Sequence, residues 1–428
     1  RINLAMPLGR TDNIRPPSVL SVMSCKNYRV DGYSFHHHER NTKETVHMAT
    51  FTADSTAIGM ESPGSLGLDS GKLDQIEQLM KSHISDGHYP GGQFAIARNG
   101  KLARVTTLGD TTIGDSPVPA VDSTLWLLFS QTKVVVTSAI WKLVDQGVLR
   151  FADQISDHVQ EFSRNGKGEI TVFELLTHQG GFPGATVPSE AWADHDLLRQ
   201  AVCDFSLEWT PGSRVNYHGT AAHWVAMVLI EAITGRDYRD YVREEILEPI
   251  GLSDQIFVGV PEDAQARCSD IHAFEDGAMV STERNTHEWR AAGVPGAGGY
   301  ATAHGMAAFY QMILAGGVLN GTRILSPRVI QFATRNHTGD RVDHGMGMPM
   351  HRGIGPHVRG YTPTIRGLGT IGSPSTFGHG GAGTSYSWGD PESGVSFTYI
   401  SNCMAPEPWH TIRLDKISNL AHASIIEM

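Results

Sequence analysis

Ser130-Gln131-Thr132-Lys133, running directly into Val134-Val135-Val136-Thr137-Ser138-Ala139-Ile140-Trp141, is the stretch on which the reading of this chain turns. An apolar run with no polar side reads as a helix buried all round. At its head, a hydroxyl and an amine three residues apart fall on one helix face, where a desolvated lysine can take the serine's proton. Burial disfavours the ammonium form and moves the amine toward a useful base. Ser-x-x-Lys occurs once in the chain. The same four residues also fit a helix N-cap serine with a solvated lysine one turn on, and Ser130 can serve in both ways.

Outward from this point the elements fall into an order. A helix is expected over about 69–84, capped by Asp69, with Leu73, Ile76, Leu79, Met80 and Ile84 on one stripe. Gln93 to Ala97, the turn Arg98-Asn99-Gly100-Lys101, and Leu102 to Leu108 predict an antiparallel hairpin. Between about 153 and 285 the patterns are helical, as in Val172 to Thr177 and Ala221 to Thr234, with few strand signals. Alternating segments at Ser385 to Trp388 and Gly394 to Ser401 flank the turn Asp390-Pro391-Glu392-Ser393, and a last helix covers about 411–426.

This order predicts an α+β fold, an antiparallel sheet flanked by helices and built from both chain ends. Its expected divisions are an irregular extension over 1–62, an α/β domain over 63–152 and 286–428, and an inserted, mostly helical domain over 153–285. A cleft between two such lobes is a usual small-molecule site.

Composition narrows the function. A net charge of −11, with no basic stripe, argues against a nucleic-acid partner. Cys25, Cys203, Cys268 and Cys403 are too scattered for a disulfide scaffold or a metal-binding Cys-x-x-Cys pair. No apolar run is long enough for a membrane span and no basic-then-apolar leader is visible, which points to a cytoplasmic protein without a membrane partner. His36-His37-His38 sits in no ligand-spaced framework, so neither metal nor cofactor is expected. Met48 and Met60 are the candidate translation starts.

Two further segments carry chemistry. Tyr217, after Pro211-Gly212 and just ahead of an apolar helix, is either a proton shuttle or a half-buried loop anchor. Phe377-Gly378-His379-Gly380-Gly381-Ala382-Gly383-Thr384 lets backbone come close to a ligand, or is simply a turn with a structural histidine.

In this order, Ser130 to Lys133, Tyr217 and His379-Gly380-Gly381 resemble the marks of the serine β-lactamase and penicillin-binding-protein superfamily. Leu175 to Gly181, Tyr241 to Leu252, Gly298 to Ala303 and Leu325-Ser326-Pro327 are similar to framework segments of its class C branch. The likeness runs from about Leu68 to the C-terminus. It departs at Tyr217-His218-Gly219, where the group carries Tyr-x-Asn, and at His379, which stands for the lysine of Lys-Thr-Gly. Both losses weaken the grip on a lactam or peptide, and what remains resembles the family VIII carboxylesterases. No Gly-x-Ser-x-Gly elbow supports an α/β-hydrolase.

The resemblance implies a carboxylesterase that cleaves short- to medium-chain esters through an acyl-enzyme on Ser130. Lys133 and Tyr217 would be its acid–base pair, the backbone N–H groups of Ser130 and Ala382 its oxyanion hole, and His379, Gly380 and Gly381 its substrate contacts. The alternatives are a β-lactamase or D-alanyl-D-alanine peptidase, a lovastatin-type acyltransferase and a noncatalytic binding module. The expected partner is a small-molecule ester.

Overall fold

The computed structural model describes residues 57–428 other than Pro363. The readings for Cys25, His36-His37-His38, Met48 and nearly all of the 1–62 extension lie outside these residues.

Helix α1 (Ser70–Ser85) begins where Asp69 accepts the Gly71 N–H at 2.7 Å, and it buries Leu73, Ile76 and Met80. Strands β1 (Gly91–Arg98) and β2 (Lys101–Gly109) follow as the expected hairpin. Its turn residues Asn99 and Gly100 both hold positive φ, 54° and 73°, which the right-handed twist of a two-residue hairpin loop demands.

The rest of the main sheet comes from the other end of the chain: β3 (His357–Val358), β4 (Phe377–Gly381), β5 (Ser385–Asp390) and β6 (Val395–Ser401). The order is β3-β4-β5-β6-β1-β2, antiparallel throughout, with Phe94 opposite Tyr399 and Trp388 opposite Phe397. Helix α1 and the C-terminal helix (Trp409–Ala423) cover one face, where Ile76 and Met80 join Phe94, Ile96, Phe397 and Tyr399. Helix Ala303–Leu314 covers the other, against the smaller Ala95 and Ala97, which let it approach closely.

β5 and β6 are therefore buried along their whole length rather than alternately, because both faces carry helices. Trp388 belongs to this core, with Nε1 donating to Ser418 Oγ at 3.1 Å and its ring stacked on His422 at 4.0 Å.

Between the two halves of the sheet lie helix α2 (Thr132–Asp145), helix α3 (Ala221–Thr234) and shorter helices packed on them. Every residue of α2 from Thr132 to Trp141 is buried, as the apolar run predicted. Three short strands are also present where few were expected. Ile256–Val258 pairs with Gly299–Ala301, which lies outside 153–285, and three residues are too few to show a period. His272–Glu275 and Ala278–Ser281 form a hairpin whose turn, Asp276-Gly277, is a recognisable signal that the sequence reading passed over.

Candidate active site

The chain reaches the serine along a two-residue strand, Trp126–Leu127, paired with Tyr300 and Ala301, and Leu128 N–H donates to Gly299 O at 2.8 Å. Phe129 then turns with φ 46°, a left-handed conformation costly for a side chain of its size, while its ring is held in the core. The turn sets Ser130 in a short 3-10 segment, Phe129–Gln131, at the mouth of α2.

Ser130 does not cap the helix. The N-cap position is Gln131, without a side-chain cap, and its amide oxygen accepts from Ser387 Oγ. Its Oγ lies 3.1 Å from Lys133 Nζ and receives the Tyr217 hydroxyl at 2.7 Å.

Lys133 is fully buried and also donates to Gly296 O at 2.6 Å. Its ammonium is held below the ordinary lysine range by desolvation; Tyr217 opposes the shift, and the Arg352 charge adds to it. Tyr217 is fixed through its backbone, donating from N–H to Asp343 Oδ1 at 3.1 Å. On either side of it, Asn216 N–H donates to His178 O at 3.0 Å and His218 N–H to His178 Nδ1 at 3.1 Å.

Buried histidines surround this trio in their neutral form. His218 gives Nδ1–H to Asn216 O at 2.7 Å and accepts the Phe182 N–H on Nε2 at 3.1 Å, which leaves no room for a second proton. Burial lowers its pKa to about 4, and burial also pushes His178, His223, His357 and His379 well below the usual histidine range. This shell supplies no negative charge to stabilise a Lys133 ammonium.

Strand β4 forms the opposite wall. His379 Nδ1–H donates to Gly380 O at 2.9 Å, its Nε2 has no hydrogen-bond partner among the described residues, and its ring stands 6.2 Å from the Tyr217 ring. Gly381 is a glycine because a Cβ there would come within 2.6 Å of Leu128 O. Ser130, Tyr217, His379, Gly380, Gly381 and Ala382 line one cavity of about 290 Å³. Larger hollows of about 500 and 570 Å³ touch none of these residues, so size is no guide to the chemistry here.

All the residues singled out in the sequence thus converge, except that Lys133 sits behind the cavity wall rather than in it. The sequence reading missed Gly296, Asp343, Arg352 and the methionines Met346, Met348 and Met350 that line the same cavity. Only the methionines carried a signal, their alternate spacing, although the chain turns between Met346 and Met348. Among the described residues, His195, Glu231 and Asp237 are grouped closely enough to hold a metal ion. Their polar atoms are spent on one another and on Arg239, as an ion-pair network.

The Beta-lactamase family model matches residues 74–421, well over half of the chain. The Esterase/beta-lactamase LipL of Mycobacterium tuberculosis is 28% identical over 308 residues, 64% of this chain and 68% of that protein. Among solved structures, a penicillin-binding protein homolog from Caulobacter crescentus superposes with a TM-score of 0.71 at 27% identity, covering 82% of this chain and 97% of its own. A family VIII carboxylesterase gives 0.71 at 25% identity, covering 82% and 98%. The α+β fold, the sheet order and these matches lead to one conclusion: the chain belongs to the beta-lactamase family and is a hydrolase of that fold.

Proposed function

We propose that this protein is a serine carboxylesterase acting on short- to medium-chain esters. The observation that carries the reading is the serine hydroxyl held between a buried amine at 3.1 Å and a phenol at 2.7 Å, at the edge of a methionine-lined cavity. Ser130 Oγ attacks the ester carbonyl while its proton passes to the Lys133–Tyr217 pair. The oxyanion is received by the N–H groups of Ser130 and Ala382, the former at the start of a helix. Collapse expels the alkoxide, protonated by Tyr217, and leaves an acyl-serine. Water, deprotonated by the same pair, then attacks that ester, and Ser130 recovers its proton as the acid departs.

Esters are favoured over lactams and peptides by two residues. Burial favours neutral His379 where the resembling lactam-cleaving enzymes carry a lysine, and Tyr217-His218-Gly219 stands where they carry Tyr-x-Asn. Two of the similar proteins are named for ester cleavage, the family VIII carboxylesterase by that activity alone and LipL together with beta-lactamase. The apolar walls from Met346, Met348 and Leu414 suit an acyl chain.

Ser130→Ala is expected to abolish turnover of p-nitrophenyl butyrate, and retention of most of the activity would refute the assignment. Lys133→Ala and Tyr217→Phe should each reduce kcat by about 10²–10⁴-fold, with losses that do not add. Nitrocefin turnover at a rate matching the ester would favour a lactamase instead.

A further inference from the structure

One cluster at the site has no part in the steps above. Asp343 and Arg352 form an ion pair whose side chains are 0% and 2% exposed. The carboxylate works in two directions. Oδ1 accepts the N–H groups of Tyr217 at 3.1 Å, Gly345 at 3.0 Å and Met346 at 3.2 Å. Oδ2 accepts Nε of Arg352 at 3.1 Å and its Nη2 as well. The third arm, Nη1, donates to His357 Nε2 at 2.5 Å. So held, the guanidinium lies 4.8 Å from the centroid of the Tyr217 ring. One oxygen of Asp343 thus fixes the backbone of the tyrosine, and the other fixes a cation over its ring.

A buried pair of this kind is weak support for stability, because apolar replacements of equal size usually serve the fold as well or better. Its placement at Tyr217 calls for another reason. Lys133 must be uncharged to accept a proton, and burial favours the neutral forms of His178 and His379, whose rings face the phenol, and of the nearby Tyr386. Among the described residues, Arg352 is therefore a permanent positive charge bordering Tyr217, in a water-poor setting where a charge acts strongly over 5 Å.

We propose that Arg352, clamped by Asp343, is the positioning residue that fixes Tyr217 and offsets the negative charge developing on its oxygen while the Ser130 proton moves. The proposal rests on the serine-esterase reading. It assigns the charge a role in the transition state rather than in substrate binding, so kcat should depend on it and KM should not.

The test compares Asp343→Asn with the double variant Asp343→Asn/Arg352→Met. Asparagine keeps an acceptor for the three amides but strands the arginine, so the single variant should melt lower than wild type. Removing the stranded cation should restore the melting temperature while lowering kcat on p-nitrophenyl butyrate, and the rate of Ser130 labelling by a fluorophosphonate probe, by a further fivefold or more, with KM within about threefold. A mere structural brace gives the opposite sign, with melting temperature and kcat recovering together in the double variant, and that result overturns the proposal. If the single variant does not fold, the double variant is set against wild type, and a kcat less than about fivefold lower overturns it. A wild-type protein neither labelled nor more active than Ser130→Ala would instead bring down the esterase reading, and this proposal with it.

Discussion

At the scale of single residues, Lys133 shows how a fold weakens the hold of an amine on its proton. The valines after it exclude water, Gly296 O accepts one of its hydrogens, Ser130 Oγ lies 3.1 Å away, and burial favours the neutral form of the histidines around it. Gly381 is as demanding on the opposite wall. A methyl group there meets Leu128 O at 2.6 Å and pushes β4 away from the segment that carries Ser130. Gly381→Ala should cost about 1–3 kcal/mol of stability and reduce kcat/KM by about tenfold or more at a temperature where the variant remains folded. Unchanged kinetics would show that β4 does not set the site. Ser130, Lys133, Tyr217 and His379 were legible in the sequence because short motifs set them off. Asp343 and Arg352 were not, since a charged pair nine residues apart looks the same in a sequence whether it lies in solvent or, as here, in the core.

At the scale of elements, legibility followed length and setting. The sixteen-residue helix α1 lay within one residue of its expected ends, and the Asn99-Gly100 hairpin was found from its turn. The C-terminal helix, expected over about 411–426, starts two residues earlier and ends at Ala423. Strands β5 and β6 were located by their flanking turn, although their burial on both faces contradicted the alternation read into them. Ile256–Val258 and Gly299–Ala301 were lost because neither is long enough to express a period.

Met346, Met348 and Met350 reach the same cavity across a turn over residues 344–347, where Gly347 holds φ 69°, ahead of the short strand Met348–Pro349. Met346 is 45% exposed and Met348 partly buried, so both can change without loss of core. Met346→Gln/Met348→Gln is expected to raise KM for p-nitrophenyl octanoate by about three- to tenfold while leaving that for the acetate nearly unchanged. Equal shifts for both esters would remove the methionines from the acyl subsite.

At the scale of the whole molecule, the neutral histidines make stability depend on pH. Burial lowers the pKa of His218 to about 4 from an ordinary 6.5, so between those values the unfolded chain binds a proton that the folded one refuses. The folded state is therefore favoured fully above about pH 6.5 and loses ground as pH falls, by roughly 3 kcal/mol for His218 alone on reaching pH 4. His178, His223, His357 and His379 are shifted the same way and act in the same sense. Calorimetry should find a level melting temperature from pH 7 to 8 and a steep decline between 6.5 and 4. A melting temperature unchanged down to pH 4.5 would show that the histidines are not held neutral.

Among the described residues no helix is long and apolar enough to cross a membrane. The antiparallel sheet was legible from the order of its elements, and the pairing of β1 with β6 is its longest-range feature. That pairing has a consequence for how the protein is made. During synthesis Ser130 and Lys133 are made well before the strands that wall the cavity, and β1 keeps an open edge until β6 exists to pair with it. A nascent chain stalled short of β6 would therefore present that edge to any other strand in reach.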